Sequence, residues 1–122
     1  MSLNTATTMV LAGFFPQGNT VVIAAASTAP TPAQVPTTDS TTAANYEIQN
    51  TGTIWVYVGA APTSAGATAN AVIPLSGTPA MGYPIPPGCD KTITLGPNYY
   101  FTAITKAGQG PCDIYITPGT GL

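Results

Sequence analysis

Glycine and proline punctuate this chain so often that no long helix fits between them: each occurs 13 times in 122 residues. A proline inside a helix removes a donor and clashes with the preceding turn, and glycine carries the highest conformational entropy cost. The gaps are filled by short runs of β-branched and aromatic residues recurring with period two, the spacing of a half-buried strand. The chain therefore reads as all-β. Candidate strands cover 20–26, 45–50, 53–59, 70–75, 91–95, 99–105 and 112–117, bounded by turn residues such as Asn50-Thr51-Gly52, Pro86-Pro87-Gly88, Gly96-Pro97-Asn98 and Gly108-Gln109-Gly110. Seven strands predict an antiparallel β-sandwich. In 53–59, Ile54, Val56 and Val58 share one face and Trp55 and Tyr57 the other; in 112–117, Cys112, Ile114 and Ile116 oppose Asp113 and Tyr115. Segment 60–70 reads as an exposed loop tip.

Three stretches differ in character. Residues 1–26 hold an apolar run and one good strand, too little to fold alone, and read as an N-terminal arm or docking strand. Residues 27–44 carry Pro30, Pro32 and Pro36, many Thr and Ala, and no aromatic side chain, and read as a Pro/Thr-rich connector. Residues 45–122 form the β-sandwich domain. The competing reading makes 27–44 a surface loop and returns 20–26 into the same sandwich.

Charge excludes more functions than length does. Only six side chains are charged: Asp39, Glu47, Asp90, Lys91, Lys106 and Asp113; His and Arg are absent, and the net charge is −2. Nucleic-acid binding needs several bases to displace phosphate counterions, so two lysines argue against it. Acid–base catalysis at neutral pH usually recruits His, and the four carboxylates are scattered along the chain. Neither zinc-type Cys/His clusters nor calcium-type oxygen spacing is present, so no metal or cofactor is expected. No nucleophile–base pair can be assembled, and the chain reads as a non-enzyme. No apolar run approaches a membrane span, and the apolar stretch 9–15 lacks the preceding positive charge of a secretory signal. That predicts cytoplasmic synthesis and free thiols at Cys89 and Cys112, with a disulfide between them as the alternative.

With 21 Thr, 18 Ala and 44% hydrophobic residues, the chain is too apolar to stay disordered and too poorly charged to repel copies of itself. It reads as a component packed against neighbours. Large aromatics contribute most at buried protein contacts, which makes Phe14, Phe15, Tyr57, Tyr99 and Tyr100 interface candidates, joined by Met9 and Leu11 of the apolar N-terminal run. Trp55 and Phe101 are expected in the core.

The chain from residue 45 to its end resembles small virion proteins of tailed bacteriophages. The resemblance is carried by Ile48-Gln49-Asn50-Thr51-Gly52-Thr53 leading into Trp55-Val56-Tyr57-Val58-Gly59, by Tyr83-Pro84-Ile85-Pro86-Pro87-Gly88 and Ile93-Thr94-Leu95-Gly96-Pro97, by the Ala103-Ile104 strand, and by the ending Ile114-Tyr115-Ile116-Thr117-Pro118-Gly119-Thr120-Gly121-Leu122. It implies a jelly-roll-like sandwich acting as a head decoration or cement protein on the capsid exterior, without enzymatic activity. The implied partners are the major capsid protein and copies of itself in a dimer or trimer, with the extended N-terminal arm gripping the shell. A tail or head–tail connector component has the same composition. A secreted adhesive or carbohydrate-binding module would need export and a Cys89–Cys112 bond.

Overall fold

A computed structural model describes residues 13–121. Among the described residues nine strands form two antiparallel sheets: β1 (Phe15–Pro16), β2 (Val21–Ala25), β3 (Ala33–Gln34), β4 (Ala44–Asn50), β5 (Val56–Ala61), β6 (Tyr83–Ile85), β7 (Asp90–Leu95), β8 (Tyr100–Ile104) and β9 (Cys112–Thr120), with one helix, α1 (Ser64–Asn70). In the first sheet β1 and β2 follow one another along one edge of β9, whose other edge pairs with β4, and β4 with β7. The second sheet runs β3–β8–β5–β6.

Period two decides what is buried. Tyr46 and Ile48 on β4, Ile114 and Ile116 on β9, and Ile23 and Ala25 on β2 fill the inner face of the first sheet; Val56, Val58, Phe101 and Ala103 fill that of the second. Phe101 takes the expected core position. Trp55 does not: it is 46% exposed, because β5 starts at Val56 and Trp55 lies in the approach to it. Ile54 is half-buried against the core.

Residues 21–25 take the docking-strand role rather than that of a free arm. β2 pairs with β9 from Val21↔Ile116 to Ala25↔Cys112, and β1 prolongs that edge through Phe15↔Thr120. The sandwich therefore includes residues well before 45. Segment 27–44 is likewise no free spacer, since Ala33 and Gln34 pair with Phe101 and Tyr100, and the Thr102 hydroxyl donates to Pro30 O at 2.7 Å.

The segment between β5 and β7 departs most from expectation. The strand expected over 70–75 is absent, and the expected loop 60–70 contains the end of β5 and α1. Thr63 caps the helix, its hydroxyl accepting from Gly66 N at 3.1 Å, and the alanines that follow are strong helix formers. α1 packs on the outer face of the second sheet at Gly59, where an added Cβ would lie 2.5 Å from Ala67 O and from Ala71 N. The extra strand, β6, contains Pro84, which is tolerated because β6 is an edge strand.

Candidate contact surface

Among the described residues, the interface candidates fall on different parts of the sandwich. Met9 and Leu11 lie outside the described residues. Phe14 is half-buried beside Gly119, and Phe15 is 59% exposed on β1. Tyr57 is half-buried on the outer face of the second sheet, in register with Ile104. Tyr99 packs against the core, and its backbone N–H donates to the Tyr46 hydroxyl at 3.3 Å. Tyr100 is half-buried, between Ala61 and Gln34 in the sheet. Cys89 is exposed and Cys112 buried, and both are free thiols. Burial pushes the Cys112 thiol above its ordinary pKa, which favours the protonated, unreactive form.

What the structure does bring together is an apolar opening at the side of the sandwich. β6 and β7 are both edge strands, one in each sheet. Tyr83 is in register with buried Val58, Ile93 with buried Tyr46, and Leu95 with Ala44, so all three side chains belong to the inward-facing sets. With no further strand beside them among the described residues they line, with Val58, Ala60, Asn70 and Met81, a groove of ≈ 250 Å³. Of its lining residues Met81 is 69% exposed and Tyr83 40%. The loop carrying Leu75 and Met81 is held by paired bonds between Leu75 and Thr78 and by Gly82 N donating to Val72 O. The sequence signal for this surface is the run of isolated apolar residues between 72 and 83, of which the sequence reading covers only 70–75, as a strand.

Charge collects elsewhere. Glu47, Asp90 and Asp113 pair with Thr92, Gln49 and Ala24, the register set opposite to Tyr46 and Ile48, which puts three of the four carboxylates on the outer face of the first sheet. The fourth, Asp39, borders a polar hollow of ≈ 260 Å³ with Gln17, Thr37, Thr42 and Pro118. Thr41 donates to its carboxylate from both backbone N–H and hydroxyl at 2.8 Å, and these bonds hold it below the usual carboxylate range. That hollow supplies a single carboxylate and no base among its lining residues, so it offers no acid–base pair. Among the described residues no cluster of three potential metal ligands occurs, and no helix is long and apolar enough to cross a membrane.

No protein-family model, no curated protein and no solved structure matches this chain.

Proposed function

We propose that this chain is a non-enzymatic structural protein of a bacteriophage virion that binds the assembled capsid and stabilises it as a decoration protein. The observation that carries the reading is the surface: Met81 and Tyr83 stand exposed in an apolar groove at one open edge of a sandwich that has only six charges in all. Such a surface suits contact with other protein, because desolvating it costs little and the exposed apolar groups gain from being covered. The strand order supports the resemblance to virion proteins. From β2 to β9 the chain changes sheet at every step except β5 to β6, with sheet orders β2–β9–β4–β7 and β3–β8–β5–β6, an arrangement in keeping with a jelly roll, an architecture used in viral capsids among other places.

The mechanism is linkage. A protein that binds only the assembled shell lowers the free energy of that state by its binding energy at every occupied site, so even a modest affinity stabilises a particle with many sites. The acidic outer face of the first sheet leaves the apolar edge as the surface with least to lose on burial.

The test is recovery with purified particles. The chain should co-purify with full particles at a copy number comparable to that of the shell protein, and adding it to shells that lack it should raise their disassembly temperature. Recovery at a few copies in the tail fraction would assign it to the tail or connector instead. No association with either fraction would overturn the reading. A deletion used to probe the N-terminal arm must stop before β1, since removing 1–26 also removes Ile23 and Ala25 from the core.

A further inference from the structure

Among the described residues, no strand fills the groove between β6 and β7. Each wall ends in an edge strand with one unpaired side, and the side chains between them belong to the inward-facing register, yet solvent reaches them. An extended segment with apolar residues at every second position would pair with β7 and complete the core at once, as in strand complementation. Outside the described residues, the sequence of 2–12 is compatible with that role. Residues 2–12 hold no charge, no Gly and no Pro, and Thr7, Met9 and Leu11 share one face while Thr8 and Val10 share the other.

The position of β1 decides whose segment it is. β1 lies on the edge of the first sheet opposite β7, with β9 and β4 between them. In register, Phe15 faces Thr120, Asn45 faces Gly119, and Ala44 faces Leu95. The chain's own segment would thus cross four interstrand spacings, roughly 19 Å, to lie beyond β7, and enter the groove at the Leu95 end. It would then run parallel to β7, whereas every strand pair in both sheets is antiparallel. A segment from a neighbour meets neither constraint. Pairing two β7 edges directly would leave the space between the sheets unfilled.

We propose that the groove between β6 and β7 receives residues 7–11 of a second copy of this chain as an added strand antiparallel to β7. The donor segment precedes β1, on the edge opposite the acceptor groove, so the contact is head-to-tail, and copies join into a closed ring or an open chain according to the angle between them. The inference is independent of shell binding: a chain that exchanges strands but ignores shells would leave it standing and remove only the capsid reading.

Disulfide trapping between full-length chains tests it. Cys89 is first replaced by Ala in all chains; one then carries Leu11→Cys and the other Met81→Cys. After mixing and mild air oxidation, intact mass should show the 11–81 linked pair at least tenfold above a control that pairs Leu11→Cys with Asp113→Cys on the outer face of the first sheet. Yields equal to the control would overturn the proposal. So would a chain carrying both Leu11→Cys and Met81→Cys that closes on itself as a monomer, which would make the occupant its own segment. As a second measurement, deleting residues 1–12 should convert an oligomer to a monomer in solution, and an unchanged mass would also overturn it.

Discussion

The rings of Tyr46 and Phe101 meet across the sandwich with centroids 5.0 Å apart and planes tilted by 58°. Tyr46 comes from β4 of the first sheet and Phe101 from β8 of the second, and both are fully buried. This tilted contact joins the two layers at the centre of the core, where aromatic pairs add to the stabilisation from burial. Phe101→Ala should cost about 3–5 kcal/mol, because transfer energy is lost and a cavity remains between the sheets. Urea unfolding measures it, and a loss under about 1 kcal/mol would show that the sheets close without this contact.

The same tyrosine makes stability sensitive to alkali. Its hydroxyl donates to Gly96 O at 2.6 Å, and burial raises its pKa above the ordinary tyrosine value. A group whose pKa is raised on folding contributes fully below its unfolded pKa, about 10, and loses that contribution as pH rises through the folded value. The unfolding midpoint should therefore fall above about pH 10. Tyr46→Phe should make that fall shallower while costing about 1 kcal/mol at neutral pH for the lost hydrogen bond. An identical alkaline slope in both proteins would assign the effect to another group.

Asn50 ties four parts of the fold together. Its side-chain amide donates to Ile54 O at 2.8 Å and Ile85 O at 3.1 Å, while its Oδ1 accepts from Gly52 N at 3.0 Å and from the Cys112 thiol at 3.3 Å. Asn50→Leu would leave these buried groups without partners, at a cost of about 3 kcal/mol. Asn50→Asp keeps the acceptor but turns an oxygen toward two carbonyls, so it should destabilise more above the ordinary carboxylate pKa of about 4 than below it. Equal stability of Asn50→Asp on both sides of that pH would contradict the direction of these bonds.

Much of this architecture was legible in the sequence because period two reports directly on burial in a sandwich. Tyr46, Ile48, Val56, Val58, Ile114 and Ile116 stand alternately in their runs and are all buried. What stayed hidden depends on contacts between distant residues. α1 was hidden because Gly66 and the scattered alanines give no apolar stripe, and the helix exists where Gly59 allows it to approach the sheet. β6 was hidden because Pro84 reads as a breaker until its position at an edge is known. The apolar groove was hidden because alternation in 91–95 tells which face Ile93 and Leu95 share, whereas only the sheet order shows that, among the described residues, no strand lies beside them.

The two thiols should separate cleanly by reactivity. Cys89 is exposed, whereas Cys112 is buried, donates to Asn50 Oδ1, and has its pKa raised by burial. An alkylating reagent near neutral pH should modify one thiol quickly, and peptide mapping should place it at Cys89. Cys112 should react only at the rate of unfolding or in denaturant. Fast labelling of both would mean that the region around Gly52 opens readily in the native state, since Cys112 Sγ occupies the space an added Cβ on Gly52 would need.

Gly59 offers the sharpest test of how α1 is docked. The backbone of β5 at this residue lies so close to the helix that an added Cβ would stand 2.5 Å from Ala67 O and from Ala71 N, both backbone atoms that no side-chain rotation can move aside. Gly59→Ala must therefore push α1 off the sheet, at about 1–3 kcal/mol, the usual cost of overpacking. The displacement should be local. Amide exchange should accelerate at Ala67 and Ala71, whose N–H groups bond to Thr63 O and Ala67 O, while the β4–β9 pairing keeps its protection. If exchange rises equally in both places, α1 is part of the cooperative core rather than a cap laid on the second sheet.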